Sequence, residues 1–330
     1  MRPVRTMGIV GAGVIGAGWA ARAAHCGLDV IVSDVNPEMC DWLFGTARDA
    51  GEMLGKLTEG IPMPERGRID FTTELTDLAE GADFIQECVP EVLELKHAVL
   101  GEVASLTSED IVIASSTSGF MPSDLQAGLN HPERILVGHP FNPVYLCPLV
   151  EVVGGKETSS GASATARRLY ESLAMHVLIV RREIPGHISD RLQEAMWREI
   201  LHLLADDIAT TGELDESIVY GPGLRWAAMG MNQLYMMAGG QGGARRFMEQ
   251  FGPALELPWC NMKAPQLTES LIDRFVEGTS DQSAGRSIRE LEAIRDECLV
   301  EIQKVLARHD VGAGRTLNAF GRKLRAADDQ

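Results

Sequence analysis

The chain has 330 residues, of which 47 are acidic and 30 basic, for a formal net charge of −17 at pH 7. Such acidity opposes attraction to nucleic acid or anionic lipid and favours small molecules as partners. The length exceeds the usual size of one domain and predicts two, each able to bury its own core.

Six cysteines (Cys26, Cys40, Cys88, Cys147, Cys260 and Cys298) are scattered, with no Cys-x-x-Cys pair and no metal-like spacing to histidine. They read as reduced thiols of a cytoplasmic protein without a metal site. The first residues run directly into a predicted strand, which leaves no room for an apolar leader. No run of about 20 apolar residues predicts a membrane span.

Short apolar runs at 7–10, 30–32, 84–85, 111–114, 135–137, 149–153 and 177–180 alternate with helical patterns. The alternation predicts an α/β fold: a Rossmann-type, doubly wound, mostly parallel sheet wrapped by helices. After the first run, Gly11-Ala12-Gly13-Val14-Ile15-Gly16 opens a helical segment that reaches Cys26. The first glycine permits a tight turn, the second lets backbone approach a pyrophosphate, and the third allows helix and strand to pack closely. Asp34 ends the second strand eighteen residues after Gly16. A carboxylate there accepts from ribose hydroxyls and repels an extra phosphate, so NAD is the expected cofactor rather than NADP.

Further along, Ala114-Ser115-Ser116-Thr117-Ser118-Gly119 follows the strand at 111–114. Its hydroxyls can bond a substrate oxygen, or they can simply build a Ser-rich turn. His139 follows the run at 135–137, in a loop bounded by Pro140 and Pro143, and Glu151 lies twelve residues on inside Leu149-Val150-Glu151-Val152-Val153. A histidine can take a hydroxyl proton as hydride leaves the carbon, and a carboxylate can fix its tautomer. Apolar residues on both sides of Glu151 imply that it is buried and therefore paired. A loop histidine beside an exposed strand glutamate is the alternative.

Pro185-Gly186 marks a break, dividing the chain into an NAD-binding domain at 1–184 and a helical substrate and dimerisation domain at 185–330. In the second, Ile188, Leu192, Met196, Ile200, Leu203 and Leu204 form one helical stripe, and Ile288, Leu291, Ile294, Leu299, Ile302 and Leu306 another. The stretch 220–259 between them is rich in glycine and aromatics and lacks clean periodicity.

Taken together, these segments resemble the 3-hydroxyacyl-CoA dehydrogenase superfamily over nearly the whole chain. The glycine turn, Asp34, Val89-Pro90-Glu91 through Lys96, the Ser-Thr-Ser-Gly turn, the His-Pro-Phe-Asn-Pro loop, the strand around Glu151 and the run from Pro185 to Leu192 occur in the family's order. The resemblance implies that His139 is the base, Glu151 its partner and Ser118 a donor to the substrate oxygen. It also implies that Glu91 and Lys96 lie beside the nicotinamide half of the cofactor. The family's Pro-Gly-Phe-x-x-Asn-Arg reads Pro185-Gly186-His187-Ile188-Ser189-Asp190-Arg191 here, with Asp190 where the family has asparagine. A neutral amide has become a carboxylate, which must pair with a base, be protonated or meet a cationic substrate.

Within the superfamily, Gly221 to Ala228, Ala238 to Gly243, Phe247 to Trp259 and Ser287 to Glu292 resemble a carnitine-oxidising branch. That likeness implies a carnitine-like 3-hydroxy acid as substrate, NAD as oxidant and a homodimer formed mainly by the helical domain. Enzymes for acyl-CoA in this superfamily carry a lysine-rich arm after the second strand. Here residues 37–66 hold only Arg48, Lys56 and Arg66 against six acids, a poor surface for a polyanion. A quaternary ammonium group is held over aromatic faces, and Trp226 or Tyr235, with Phe141 beside Asn142 in the histidine loop, are candidates. Arg225 is the candidate for the substrate carboxylate. The competing expectations are an L-gulonate-type or acyl-CoA dehydrogenase, and a crystallin-like protein that holds the dinucleotide without turnover.

Overall fold

The computed structural model describes residues 3–260, 263, 266 and 268–328. In its first half, strands and helices alternate: β1 (Thr6–Val10), α1 (Val14–His25), β2 (Asp29–Ser33), α2 (Met39–Leu57), β3 (Ile69–Thr72), α3 (Leu75–Gly81), β4 (Phe84–Glu87) and α4 (Leu93–Leu106). There follow β5 (Val112–Ser115), α5 (Pro122–Gln126), β6 (Ile135–Pro140), β7 (Leu149–Gly154), α6 (Ser160–Ser172) and β8 (His176–Val180). The strands form one sheet in the order β3-β2-β1-β4-β5-β6-β7-β8, parallel except where β7 runs against β6. This is the expected mostly parallel sheet. Its apolar runs are unbroken because helices cover both faces.

Alternate side chains of each strand serve opposite faces. Met7, Ile9, Phe84, Val112, Ala114 and Leu136 join the core under α1 and α6, whereas Val10, Ile85, Ile113, Ile135 and Val137 join the core under α3 and α4. Trp19 stacks on Tyr170 at 5.3 Å between ring centres. The Tyr170 hydroxyl donates to Gln86 Oε1 at 2.6 Å, and Gln86 Nε2 donates to the Gly138 carbonyl at 3.1 Å. A Cβ on Gly138 would lie 2.0 Å from that hydroxyl, so only glycine lets the network reach the strand next to His139.

Two expectations are corrected here. The strand at 135 continues through Pro140, so His139 sits within β6 rather than in a loop, because its backbone pairs with β7. β3, Ile69-Asp70-Phe71-Thr72, was not expected. It is a sheet edge without a fully buried residue, and it lacks the apolar run that marks its neighbours.

The remaining helices are α7 (Ser189–Ala205), α8 (Thr211–Val219), α9 (Pro222–Trp226), α10 (Met231–Ala238), α11 (Gly243–Phe251), α12 (Glu269–Ser283), α13 (Ile288–Arg308) and α14 (Gly312–Asp328). The chain divides into two compact units: Met1–Asp190 with Leu299–Arg308 and Ala313–Gln330, and Arg191–Cys298 with His309–Gly312. In the first, Val300 and Leu146 pack in one buried cluster, and Gln303 Nε2 donates to the Leu146 carbonyl at 3.0 Å, pinning the loop that follows His139. The second is helical, with Leu204, Leu214 and Leu271 as its core. Much of the predicted stripes stays outside any core: Leu192 is 71% and Ile288 77% exposed. No helix among the described residues is long and apolar enough to cross a membrane.

His25, at the end of α1, donates from Nε2 to Thr58 Oγ1 at 2.9 Å, since that hydroxyl itself donates to the Leu54 carbonyl. Burial first, then Arg66 and Arg22, push its pKa down to about 4. The unfolded chain therefore binds a proton that the folded chain refuses. The neutral ring's contribution is complete above the ordinary histidine value and is lost as pH falls from about 6.5 towards 4, on the order of 3 kcal/mol in all. Urea midpoints across this window should fall less steeply in His25→Gln than in the parent; equal slopes would rule this histidine out as their source.

Candidate active site

The sequence runs outward through β1, β2 and β3 and then restarts at β4 on the other side of β1, leaving a crevice at the strands' carboxyl ends. A cavity of about 750 Å³ opens there, bordered by Gly11, Gly13, Asp34, Glu91, Lys96 and Ser118 among others. The glycine turn fits a dinucleotide residue by residue. Gly11 has φ +100° and faces the Cys88 carbonyl too closely for a side chain. A Cβ on Gly16 would sit 1.9 Å from the Gly11 carbonyl, whereas one on Gly13 would meet nothing within 4 Å. Gly13 thus leaves the space above the N-terminus of α1 open for a pyrophosphate. Ala12 belongs to the same turn, and its amide donates to Asp34 Oδ2 at 2.8 Å, while Asn36 N donates to Oδ1 at 2.9 Å. The carboxylate is thereby fixed at the end of β2, facing the cavity where Val14 and Ile15 begin the helix.

Across the cavity, Glu91 Oε1 accepts from the Thr117 hydroxyl and from the amides of Ser118 and Gly119, both at 3.1 Å. Glu91 therefore shapes the Ser-Thr-Ser-Gly turn. Its other oxygen lies 3.4 Å from Lys96 Nζ. Lys96, 1% exposed, also donates to Glu87 Oε1 and to the Val89 carbonyl, both at 2.9 Å. Lys96 borders the cavity, but its ammonium is committed to these three oxygens. The Ser118 hydroxyl has no protein partner among the described residues and borders the cavity.

His139 and Glu151 face each other directly across the antiparallel β6–β7 pair. His139 Nδ1 lies 2.9 Å from Glu151 Oε2, with the histidine 4% and the glutamate 0% exposed. The amides of Ile188 and Ser189, where α7 begins, donate to Glu151 Oε1 at 3.1 Å each. Burial alone would raise this carboxyl, but the bonds from His139, Ser189 and Ile188 outweigh it and hold it below the ordinary value. An ionised Glu151 can only accept, so Nδ1 carries the hydrogen and Nε2 presents its lone pair. The bland alternative of an exposed glutamate is excluded by its burial.

Asp190 Oδ2 lies 3.6 Å from His139 Nε2. Of the partners open to this carboxylate, the structure supplies a base, His139. The Phe141 ring meets the imidazole edge-on at 5.3 Å, and Asn142 follows, exposed, in the same loop. His187, which no sequence argument singled out, is fully buried with its ring 5.3 Å from that of His139. Its Nε2 donates to the Thr117 carbonyl at 3.1 Å, its Nδ1 has no partner among the described residues, and its φ is +48°. Burial first, then His139, lowers its pKa, so it stays neutral. A Pro-Gly break that precedes a polar residue was the available signal, since glycine frees the next residue to turn sharply.

Arg225, Trp226 and Tyr235 belong to the second unit: Arg225 and Trp226 end α9, and Tyr235 on α10 stacks on Phe247 at 4.6 Å, with Phe251 next to it. No group of three or more His, Cys, Asp or Glu among the described residues is arranged to hold a metal ion.

Comparison with known proteins gives a consistent picture. The family model for the 3-hydroxyacyl-CoA dehydrogenase NAD binding domain matches residues 6–184, and that for the C-terminal domain matches 186–280. The chain is 50% identical over 311 residues to the L-carnitine dehydrogenase of Pseudomonas aeruginosa, covering 93% of this chain and 96% of that one. It is 47% identical over 311 residues to the L-carnitine dehydrogenase of Pseudomonas syringae, covering 93% and 97%. Among solved structures, 5-formyl-3-hydroxy-2-methylpyridine 4-carboxylic acid 5-dehydrogenase, an NAD-dependent dismutase, superposes with a TM-score of 0.78 at 29% identity, covering 92% of this chain and 99% of that one.

Proposed function

Because this chain belongs to the 3-hydroxyacyl-CoA dehydrogenase family and is an NAD-dependent dehydrogenase, we propose that it oxidises the 3-hydroxyl of L-carnitine to 3-dehydrocarnitine. The observation that carries the reading is the relation to L-carnitine dehydrogenases along more than nine-tenths of the chain. His139 is the general base. Its Nε2 lone pair, fixed by Glu151 on the opposite nitrogen, takes the hydroxyl proton while the carbonyl forms. NAD, when bound, accepts the hydride. Ser118 donates to the substrate oxygen from the cavity wall, and burial of the imidazole excludes water from the proton's path. Glu91 and Lys96 shape the nicotinamide end of the cavity through the turn they hold.

The substrate's two charged ends need recognition of opposite sign. Arg225 is the proposed carboxylate partner, and Trp226, Tyr235 and Phe141 are the proposed aromatic neighbours of the ammonium group. The exposed apolar side chains of the helical unit, among them Leu192, Leu224, Met237, Leu255 and Ile288, support association with a second copy as a homodimer.

The test is NADH formation with L-carnitine, L-gulonate and 3-hydroxybutyryl-CoA supplied in turn. L-carnitine should give the highest kcat/KM, and preference for either rival would overturn the reading. Trp226→Ala and Tyr235→Ala should raise the KM for carnitine by roughly 3- to 30-fold. An unchanged KM in both would remove the aromatic contact.

A further inference from the structure

The catalytic imidazole has a carboxylate at each ring nitrogen, and the two are not equivalent. Glu151 bonds Nδ1 at 2.9 Å, is fully buried, and is satisfied by two backbone amides as well. Asp190 stands 3.6 Å from Nε2, too far for a hydrogen bond, with its side chain 30% exposed. It therefore leaves the reacting nitrogen open while bordering the place a substrate hydroxyl must occupy.

Among the described residues, the charges that act on Asp190 include no lysine or arginine. The titratable groups whose charges act on it are His139, 3.6 Å away, and Glu151, His187 and Glu91. Two are carboxylates, His187 stays neutral, and His139 must itself be neutral to accept a proton. Burial first raises the Asp190 carboxyl; His139 and His187 lower it, and the charges of Glu151 and Glu91 raise it. A cation delivered with the substrate would relieve this cost. In carnitine a single methylene separates the hydroxyl-bearing carbon from the quaternary nitrogen, so a hydroxyl on Nε2 brings that nitrogen close to Asp190. Phe141 borders the same imidazole and offers the aromatic surface that such a cation, unable to donate hydrogen bonds, also prefers.

We propose that Asp190 is the specificity-determining carboxylate of this site, selecting substrates with a quaternary ammonium one methylene from the reacting carbon and turning that end towards His139 and Phe141. The charges then close: Glu151 and Asp190 are matched, once the proton has moved, by the imidazolium and the ammonium. An anionic group at the same position would meet repulsion instead.

This inference rests on carnitine oxidation as the activity, and its test separates the two. L-carnitine and the isostere in which carbon replaces the quaternary nitrogen, uncharged at that end, are compared as substrates of the parent, Asp190→Asn and Asp190→Glu, with tetramethylammonium chloride as a competitive inhibitor. Asp190→Asn should lower kcat/KM for carnitine roughly 10- to 100-fold, mainly through KM, leave the isostere within about threefold, and abolish inhibition by tetramethylammonium. Asp190→Glu, which keeps the charge, should retain the preference for carnitine. An equal fall with both substrates would overturn the proposal and assign Asp190 to positioning His139 alone. A parent enzyme that oxidises both substrates equally well would also overturn it while leaving the dehydrogenase reading intact. A parent that oxidises neither would bring down both.

Discussion

Replacing His139 by Asn should cut kcat for NADH formation roughly 10²- to 10⁴-fold, the range over which a positioned general base contributes. The imidazole is 4% exposed and faces Glu151 across the sheet. Asparagine keeps a hydrogen-bond donor for Glu151 but offers no nitrogen able to take the proton. Because the glycine turn and Asp34 lie on other strands, the dissociation constant for NADH, read from its fluorescence, should stay within about threefold of the parent. A variant within tenfold of the parent's kcat would end the assignment of His139 as base. A lost rate together with lost NADH affinity would point to disrupted structure instead.

The second large effect concerns stability. Lys96→Met should destabilise the protein by about 3–5 kcal/mol, because it leaves Glu87, 0% exposed, without its cation. Glu87 would still accept from Ser115 and from the Val89 amide, yet a buried carboxylate held only by neutral donors keeps most of its desolvation cost. The double variant Lys96→Met/Glu87→Leu should recover most of the lost Tm, since both charges leave together. Should Lys96→Met melt like the parent while binding NADH more weakly, the lysine would be a cofactor ligand and not the keystone of this network.

The strands of the sheet were legible where both faces are covered, since Met7 to Val10 and Ile135 to Val137 must then be apolar at every position. β3 was hidden because an edge strand need not be. The glycine turn was legible for a stronger reason: Gly11 and Gly16 each stand where a Cβ would collide with backbone, so the chemistry of the fold itself requires them. His139 and Glu151 could be named from residue type and surroundings, but not their register, because antiparallel pairing between β6 and β7 leaves no local mark in a sheet that is otherwise parallel. The roles of Glu91 and Lys96 were harder still. Their position beside the cavity followed the sequence, whereas their commitment to Thr117, Ser118, Glu87 and Val89 depends on side chains converging from separate elements. His187 was invisible because its neighbours in space, Thr117 and His139, are far from it in the chain.

The cross-strand seat of His139 and Glu151 also bears on how such a site changes over generations. Their spacing is set by main-chain bonds between β6 and β7, which depend on strand pairing more than on the side chains between them. In the connecting segment Phe141 packs edge-on against the imidazole and Asn142 is exposed, while Val144 and Leu146 are buried and anchor it. Mutation at the first two positions therefore leaves the His139–Glu151 couple in place, so that the surroundings of the imidazole can diversify without moving its seat.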